Sequence, residues 1–273
     1  MIAPRVVIVG HVEWVTHALG TLPGRGHIAD LHSAFDEPAG GGGVAAAAAA
    51  REGADVTLVT ALGRGSAADR ALEVLTTRGV RVVAARRDAA QTPVLTITEP
   101  DGERTIMVVG QRLQARMDDA IHHAALHGAA AAYYTGEDPR LLADLRVSVG
   151  TLVVSARRLA DIVAGDVRAD VIVGSGNDPD ENLGGLPDHL RPAWTVRTDG
   201  AAGGSVTHFS GHVTCYTATA PAGPVVDTYG CGDSFAAGLT VGLARGLDIE
   251  DAISVGARAG ATCVTWRGGL GPA

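Results

Sequence analysis

The sequence predicts an α/β fold: a doubly wound, mostly parallel sheet flanked by helices, with a small β lid. Three observations carry this. Short apolar, β-branched runs alternate with helical patterns along most of the 273 residues. Those runs are continuously apolar, as strands covered on both faces are. One segment instead alternates with period two around an Asp-Gly pair, the signal of a hairpin.

Taken in order, RVVIVG (5–10) reads as the first buried strand. Residues 22–35 are polar and turn-rich and interrupt the alternation. A helix over 44–52 leads to the strand DVTLVTALG (55–63), and a helix over 67–78 leads to GVRVVAA (79–85). TPVLTITEPDGERTIMV (92–108) is the hairpin, turning at Asp101-Gly102; it is either a separate flap or an edge extension of the main sheet. The expected lid strands come from about 22–35 and 92–109. Three further strands, AAAAYYTG (129–136), GTLVVS (150–155) and ADVIVG (169–174), are separated by helices over 118–127, 139–147 and 156–164. A last helix runs over 234–245. The chain, 1–273, is expected to be one domain, with ligands beyond the C-terminal ends of the parallel strands.

Composition narrows the function. The formal net charge is −8 and no basic cluster exceeds a pair, so no nucleic-acid partner is expected. All 22 basic residues are arginine, which excludes a Schiff-base or P-loop lysine; a GC-rich coding sequence accounts for that bias. Aromatics are 4%, so the core must be built from Ala, Val, Leu and Ile. Three cysteines, Cys215, Cys231 and Cys263, lack metal-ligand spacing, and the histidines, including His122, His123 and His127, form no ligand pattern. The opening residues enter a strand pattern directly, and no apolar run has transmembrane length. The expectation is a cytoplasmic protein without membrane contact.

The chemistry concentrates in VVDTYGCGDSFAAGL (225–239). Gly230, Cys231 and Gly232 precede a helical run, and N–H groups at a helix start attract anions. Glycines let backbone approach a bulky oxyanion. Asp233 then falls in the first helical turn, where a carboxylate beside an anion hole is costly unless it takes a proton. That is what an attacking hydroxyl requires. An N-cap followed by a glycine-rich turn would produce the same string.

DTYGCGDSF (227–235) resembles the Asp-Thr-x-Gly-Ala-Gly-Asp-x-Phe signature of the ribokinase-like (PfkB) carbohydrate kinase family, with Cys231 where alanine is usual. The resemblance extends to PAGGGGVAAAAAAREGADVTLVTALG (38–63), to DGERTI (101–106) in the lid and to VRTDGAAGG (196–204) in the nucleotide loop. GARAGATCVTWRGG (256–269) resembles the helix beside the adenine. The resemblance implies a ribokinase-like fold and transfer of the γ-phosphoryl of ATP, with Mg2+, to a hydroxyl. Asp233 would be the base, and the N–H groups of Gly230, Cys231 and Gly232 the charge-stabilising donors. Thr198, Gly200, Gly203, Asp227 and Thr228 match nucleotide-side positions. Asp227 and Tyr229 match positions used by members that take a monovalent cation such as K+. Gly41 and Gly42 would bring backbone to the acceptor, or would let the alanine helix pack closely.

The chain also departs from the family. Ala45 stands where asparagine is usual, and GHVEWVTH (10–17) offers only His11 and Glu13 where an aspartate binds sugar hydroxyls. Trp14 either stacks on a ring or packs in the core. In SGNDPDEN (175–182), Asp178, Asp180 and Glu181 are the candidates to organise Mg2+, or a solvated acidic turn. Cys231, at a helix start, is a candidate reactive thiol or a small residue in alanine's place. The expected protein is an ATP-dependent kinase of a small metabolite, foremost a sugar, active as a homodimer. The alternatives are a nucleoside kinase of the same fold and a catalytically degenerate nucleotide sensor. A dinucleotide oxidoreductase is disfavoured because VGHVEW lacks the glycine spacing.

Overall fold

The computed structural model describes residues 2–99, 104–119, 123–181 and 183–272. The Asp101-Gly102 turn and His122 lie outside the described residues. In chain order the elements are β1 (Arg5–Val9), β2 (Glu13–Leu19), β3 (His32–Ala39), α1 (Gly40–Arg51), β4 (Asp55–Arg64), α2 (Ser66–Thr77) and β5 (Val80–Ala90). They continue with β6 (Pro93–Thr98), β7 (Arg104–Val108), α3 (His123–Leu126), β8 (Ala129–Tyr134), α4 (Pro139–Ser148), β9 (Val149–Ser155) and α5 (Leu159–Ala164). The last are β10 (Val171–Ser175), β11 (Trp194–Thr198), β12 (Gly204–His208), β13 (Val213–Tyr216), α6 (Cys231–Ala244) and α7 (Ile249–Cys263).

Nine strands form the main sheet in the order β13-β12-β11-β10-β9-β8-β1-β4-β5. All its pairings are parallel except β11–β12 and β12–β13. The apolar runs of β1, β8 and β9 are buried on both faces, which is why they show no alternation. A second sheet, ordered β3-β2-β6-β7, stands apart as the lid. It is mixed: β2 pairs parallel with β6, and the other two pairings are antiparallel.

Two expectations are corrected. The lid strands of the first half are Glu13–Leu19 and His32–Ala39, and most of 22–35 carries no strand. Glu13 and His17 point inward along β2, so polar residues occupy buried positions and erase the strand signal. The helix expected over 118–127 is described only as His123–Leu126.

The helices show why aromatics are scarce. The alanines of α1 are buried on every side, between the sheet, α6 and the lid. Against α7, Gly238 of α6 lies so close that a Cβ there would reach Gly256 Cα at 2.9 Å. Gly42 sets the α1 position: a Cβ would lie 2.6 Å from the carbonyl carbon of Gly10. Gly42→Ala is therefore expected to destabilise the fold by about 1–3 kcal/mol, the usual cost of overpacking, read as a lowered urea midpoint. An unchanged midpoint would contradict this packing.

Candidate active site

Four chain segments meet at the C-terminal ends of the central strands: the Gly10–Glu13 turn after β1, Thr135 after β8, and the starts of α1 and α6. Thr135 N–H donates to Val9 O at 2.8 Å. The N–H groups of Gly42 and Gly43 donate to His11 O at 3.0 and 3.3 Å. A Cβ on Gly41 would lie 3.3 Å from both Asp233 Oδ1 and Thr135 Oγ1. Both readings of the glycine run thus describe something present: Gly42 packs, and Gly41 faces Asp233.

The start of α6 has no side-chain cap, a feature it shares with α1, α2 and α5. In α4 and α7 an aspartate caps: Asp138 accepts from Arg140 N–H and Asp248 from Asp251 N–H, each at 2.9 Å. In α6 the N-cap is Gly230, left-handed at φ 77°, with no side-chain cap. First-turn N–H groups have no carbonyl ahead of them in the helix; here Cys231 N–H makes only a long 3.4 Å turn bond to Thr228 O. Gly232 has open space where a Cβ would be.

Asp233, in that first turn, has its carboxyl pushed up to about 7. Burial is the main cause, and Glu181 and Glu13 add to it; Arg157 and Arg104 oppose it. Such a value suits a base working near neutrality. Beneath it, Tyr133 hydrogen-bonds with Ser155 and Thr135 and is held neutral by burial.

Among the residues expected to meet an acceptor, Glu13 is buried and accepts from Arg112 Nε at 2.6 Å; burial pushes its carboxyl upward. Burial and Arg112 push His11 down to about 3, so it is neutral. Its Nε2 accepts a long 3.4 Å bond from Gly41 N–H, which places the proton on Nδ1. The 3.6 Å approach of His11 Nε2 to Glu13 is therefore not an ion pair. Trp14 points away from Glu13 across the pleat and packs on the main core, with the Arg70 guanidinium 5.1 Å from its ring centre. Ala45 is fully buried in that core.

Among the residues expected to meet a nucleotide, Thr198 ends β11, and Gly200 and Gly203 take positive φ in the turn into β12. A Cβ on Gly203 would sit 2.1 Å from Tyr216 O, so only glycine fits. Two adjoining cavities, of about 810 and 450 Å³, share Arg197 and Ser205. Asp178 and Glu181 line the larger; Asp233 lines neither.

Arg157 gathers the three acidic candidates: it pairs with Asp178, with Glu181 at 2.9 Å and with Asp180 at 3.8 Å. Glu181 Oε2 also accepts from Ser175 N–H at 2.6 Å, and Asp178 Oδ1 from Asp180 N–H at 3.0 Å. Every oxygen of Asp178 and Glu181 is thus engaged. They suit a hydrated Mg2+ reached through its waters, not one bound directly. Asp227 is likewise committed, accepting from Tyr229 N–H at 2.9 Å and Gly268 N–H at 3.0 Å, which ties the C-terminal loop to the α6 turn. Thr228 receives a hydrogen bond from Arg104 of the lid. The Cys231 thiol donates to Asp227 O at 4.0 Å and the Cys263 thiol to Tyr229 O at 3.4 Å. The neighbouring Cys263 thiol and burial push Cys231 well above the ordinary thiol range, against the reactive reading.

Arg104, Arg112, Arg157 and Thr135 were not singled out by sequence. Arg104 lies inside DGERTI, but its place over α6 depends on the lid.

Among curated proteins, the chain is 43% identical over 79 residues to acarbose 7(IV)-phosphotransferase of Actinoplanes sp.; the match covers 29% of this chain and 26% of that relative. Among solved structures it is similar to Arabidopsis thaliana ribokinase complexed with ribose and ATP (TM-score 0.75, 18% identity, 98% of this chain and 94% of that one). It is also similar to the Methanocaldococcus jannaschii nucleoside kinase (TM-score 0.72, 16% identity, 97% and 93%). At such identities these structures bear on the fold. The pfkB family carbohydrate kinase model matches residues 4–192 and 175–272, and with nearly every residue so covered the chain belongs to the pfkB family of carbohydrate kinases.

Proposed function

We propose that this protein is an ATP-dependent kinase that phosphorylates a hydroxyl of a small metabolite, foremost a sugar. The observation that carries the reading is Asp233: a carboxylate poised near neutral pH, in the uncapped first turn of α6, facing Gly41. The acceptor hydroxyl approaches over Gly41, and Asp233 takes its proton as the oxygen attacks phosphorus. The N–H groups of Gly230, Cys231 and Gly232 stabilise charge on the phosphoryl oxygens. Glu13, held by Arg112, accepts from the acceptor's other hydroxyls. Thr198, Gly200 and Gly203 line the departing nucleotide. Mg2+, when bound, neutralises phosphate charge, with Asp178 and Glu181 holding its hydration shell. K+, when bound, would lie near Asp227 and Tyr229 without resting on the Asp227 carboxylate, whose oxygens both hold backbone N–H groups; a requirement would show as lost turnover when Na+ replaces it.

A sugar is favoured over a nucleoside because Trp14 packs under Arg70 and is not offered to a base. Retention of Asp233 argues against a sensor without turnover. We also expect a cytoplasmic homodimer: β7 is an unpaired edge and Ile106 on it is 45% exposed. Light scattering tests the dimer.

The testing experiment is a panel of pentoses, hexoses, nucleosides and acarbose, scored by ADP release and product mass. Sugar phosphorylation is expected. Ribose should be a poor substrate, since Ala45 supplies no hydrogen bond and one such bond is worth roughly 0.5–1.5 kcal/mol. Efficient ribose turnover at micromolar concentrations would contradict that view, and ATP binding without any phosphorylated product would favour the sensor.

A further inference from the structure

Arg104 begins β7, in the lid, 124 positions before the residue it reaches. Its Nη1 donates to Thr228 Oγ1, in the turn that opens α6. Two cations act on Asp233, Arg157 and Arg104. Arg157 is committed to three carboxylates. Arg104, among the described residues, pairs with no carboxylate; its partner is a neutral hydroxyl. Arg104 is exposed, and Gly232, in the first turn of α6, has open space where a Cβ would be. Because the chain has no lysine, any permanently charged side-chain cation for the phosphoryl group must be an arginine.

We infer that Arg104 is a catalytic arginine, delivered by the lid, that contacts the phosphoryl group in transfer. This rests on the kinase reading above. The guanidinium leaves a weak hydroxyl partner for phosphoryl oxygens, which it can grip through two N–H groups at once. The contact is worth most when negative charge spreads over those oxygens, so it acts on turnover more than on binding. It would also make transfer depend on the lid being over the site, which disfavours phosphate loss to water.

The test is steady-state kinetics of wild type, Arg104→Ala and Arg104→Lys on the best acceptor of the panel, with ATP affinity measured by calorimetry. For Arg104→Ala, kcat should fall about 10²–10³-fold, at or below the lower end of arginine-finger effects. ATP affinity and the acceptor KM should stay within a few-fold. Lysine should restore only part of the rate, because it lacks the planar fork. Added guanidinium should rescue the alanine variant at least several-fold. Retained ATP binding shows that the variant is folded. Unchanged kcat overturns the inference, and so does a raised acceptor KM at constant kcat, which would make Arg104 an acceptor contact. A wild type that phosphorylates nothing on the panel defeats the kinase reading itself, and this inference with it.

Discussion

Asp233→Asn should lower turnover by about 10²–10⁴-fold, the range general-base assistance supplies, and leave ATP binding in place. Asparagine keeps the shape of the side chain but cannot accept the proton. In the proposed mechanism the phosphate donors are backbone N–H groups, which the substitution does not touch, and removing a negative charge beside them should if anything tighten ATP. The same variant should be more stable. In the wild type the folded carboxyl titrates at about 7, against 3.8 for the ordinary value. A folded value above the unfolded one means that the contribution to stability is full below pH 4 and is lost as pH rises toward 7. At pH 8 the buried charge is therefore a burden, and its removal should raise the unfolding free energy by about 2 kcal/mol. That is roughly half of the full shift at 1.36 kcal/mol per unit, since the side chain keeps some contact with solvent. Loss of activity with a gain in stability is what a site strained for function shows. Turnover within a few-fold of wild type, or a less stable variant, would make Asp233 a structural residue.

Gly230→Ala carries the largest expected loss of stability. At φ 77° an alanine costs roughly 1–2 kcal/mol. Its Cβ would also lie 2.9 Å from Val44 Cγ1 and 3.1 Å from Gly269 Cα. The turn must then move, and the N–H groups of the anion hole move with it. A misplacement of 1 Å can cost about 10²-fold in rate. The expected result is a stability loss of about 2–3 kcal/mol together with about 10²-fold lower kcat and weaker ATP binding. This pattern separates it from Asp233→Asn, in which ATP binding survives. Unchanged kinetics in a destabilised variant would show that α6 does not hold the phosphates.

Much of this site is legible in the sequence, because its backbone parts leave local signatures. Glycines at 42 and 230 mark places where a Cβ would clash, Gly41 faces Asp233, and Asp233 follows Gly230 and Gly232 in a spacing few helices share. The continuously apolar strands announce a buried parallel sheet. What escaped the sequence is whatever a distant segment supplies. β2 was hidden because Glu13 and His17, facing inward, break the apolar pattern. Arg157 is an ordinary arginine after a strand until the loop after β10 brings three carboxylates to it. Trp14 could be placed only once Arg70 of α2 was seen across its ring. Asp227 looks like a ligand in sequence, yet both its oxygens hold backbone N–H groups. Cys231 looks activated at a helix start, but its environment includes Cys263, which no spacing predicts.

The central claim is that Asp233 is a base tuned by burial beside Glu181 and Glu13, with Arg157 and Arg104 restraining the shift. The most direct measurement is kcat/KM against pH for the wild type and Asp233→Asn on the same acceptor, between pH 5 and 9. Protonation of ATP or of the acceptor affects both proteins alike, so the difference between the two profiles isolates the carboxylate. The account predicts that the wild type loses tenfold per pH unit below about 7 and is level above it, while the variant shows no limb at that position. A wild-type rate that stays level down to pH 5, or the same limb in both proteins, would contradict it.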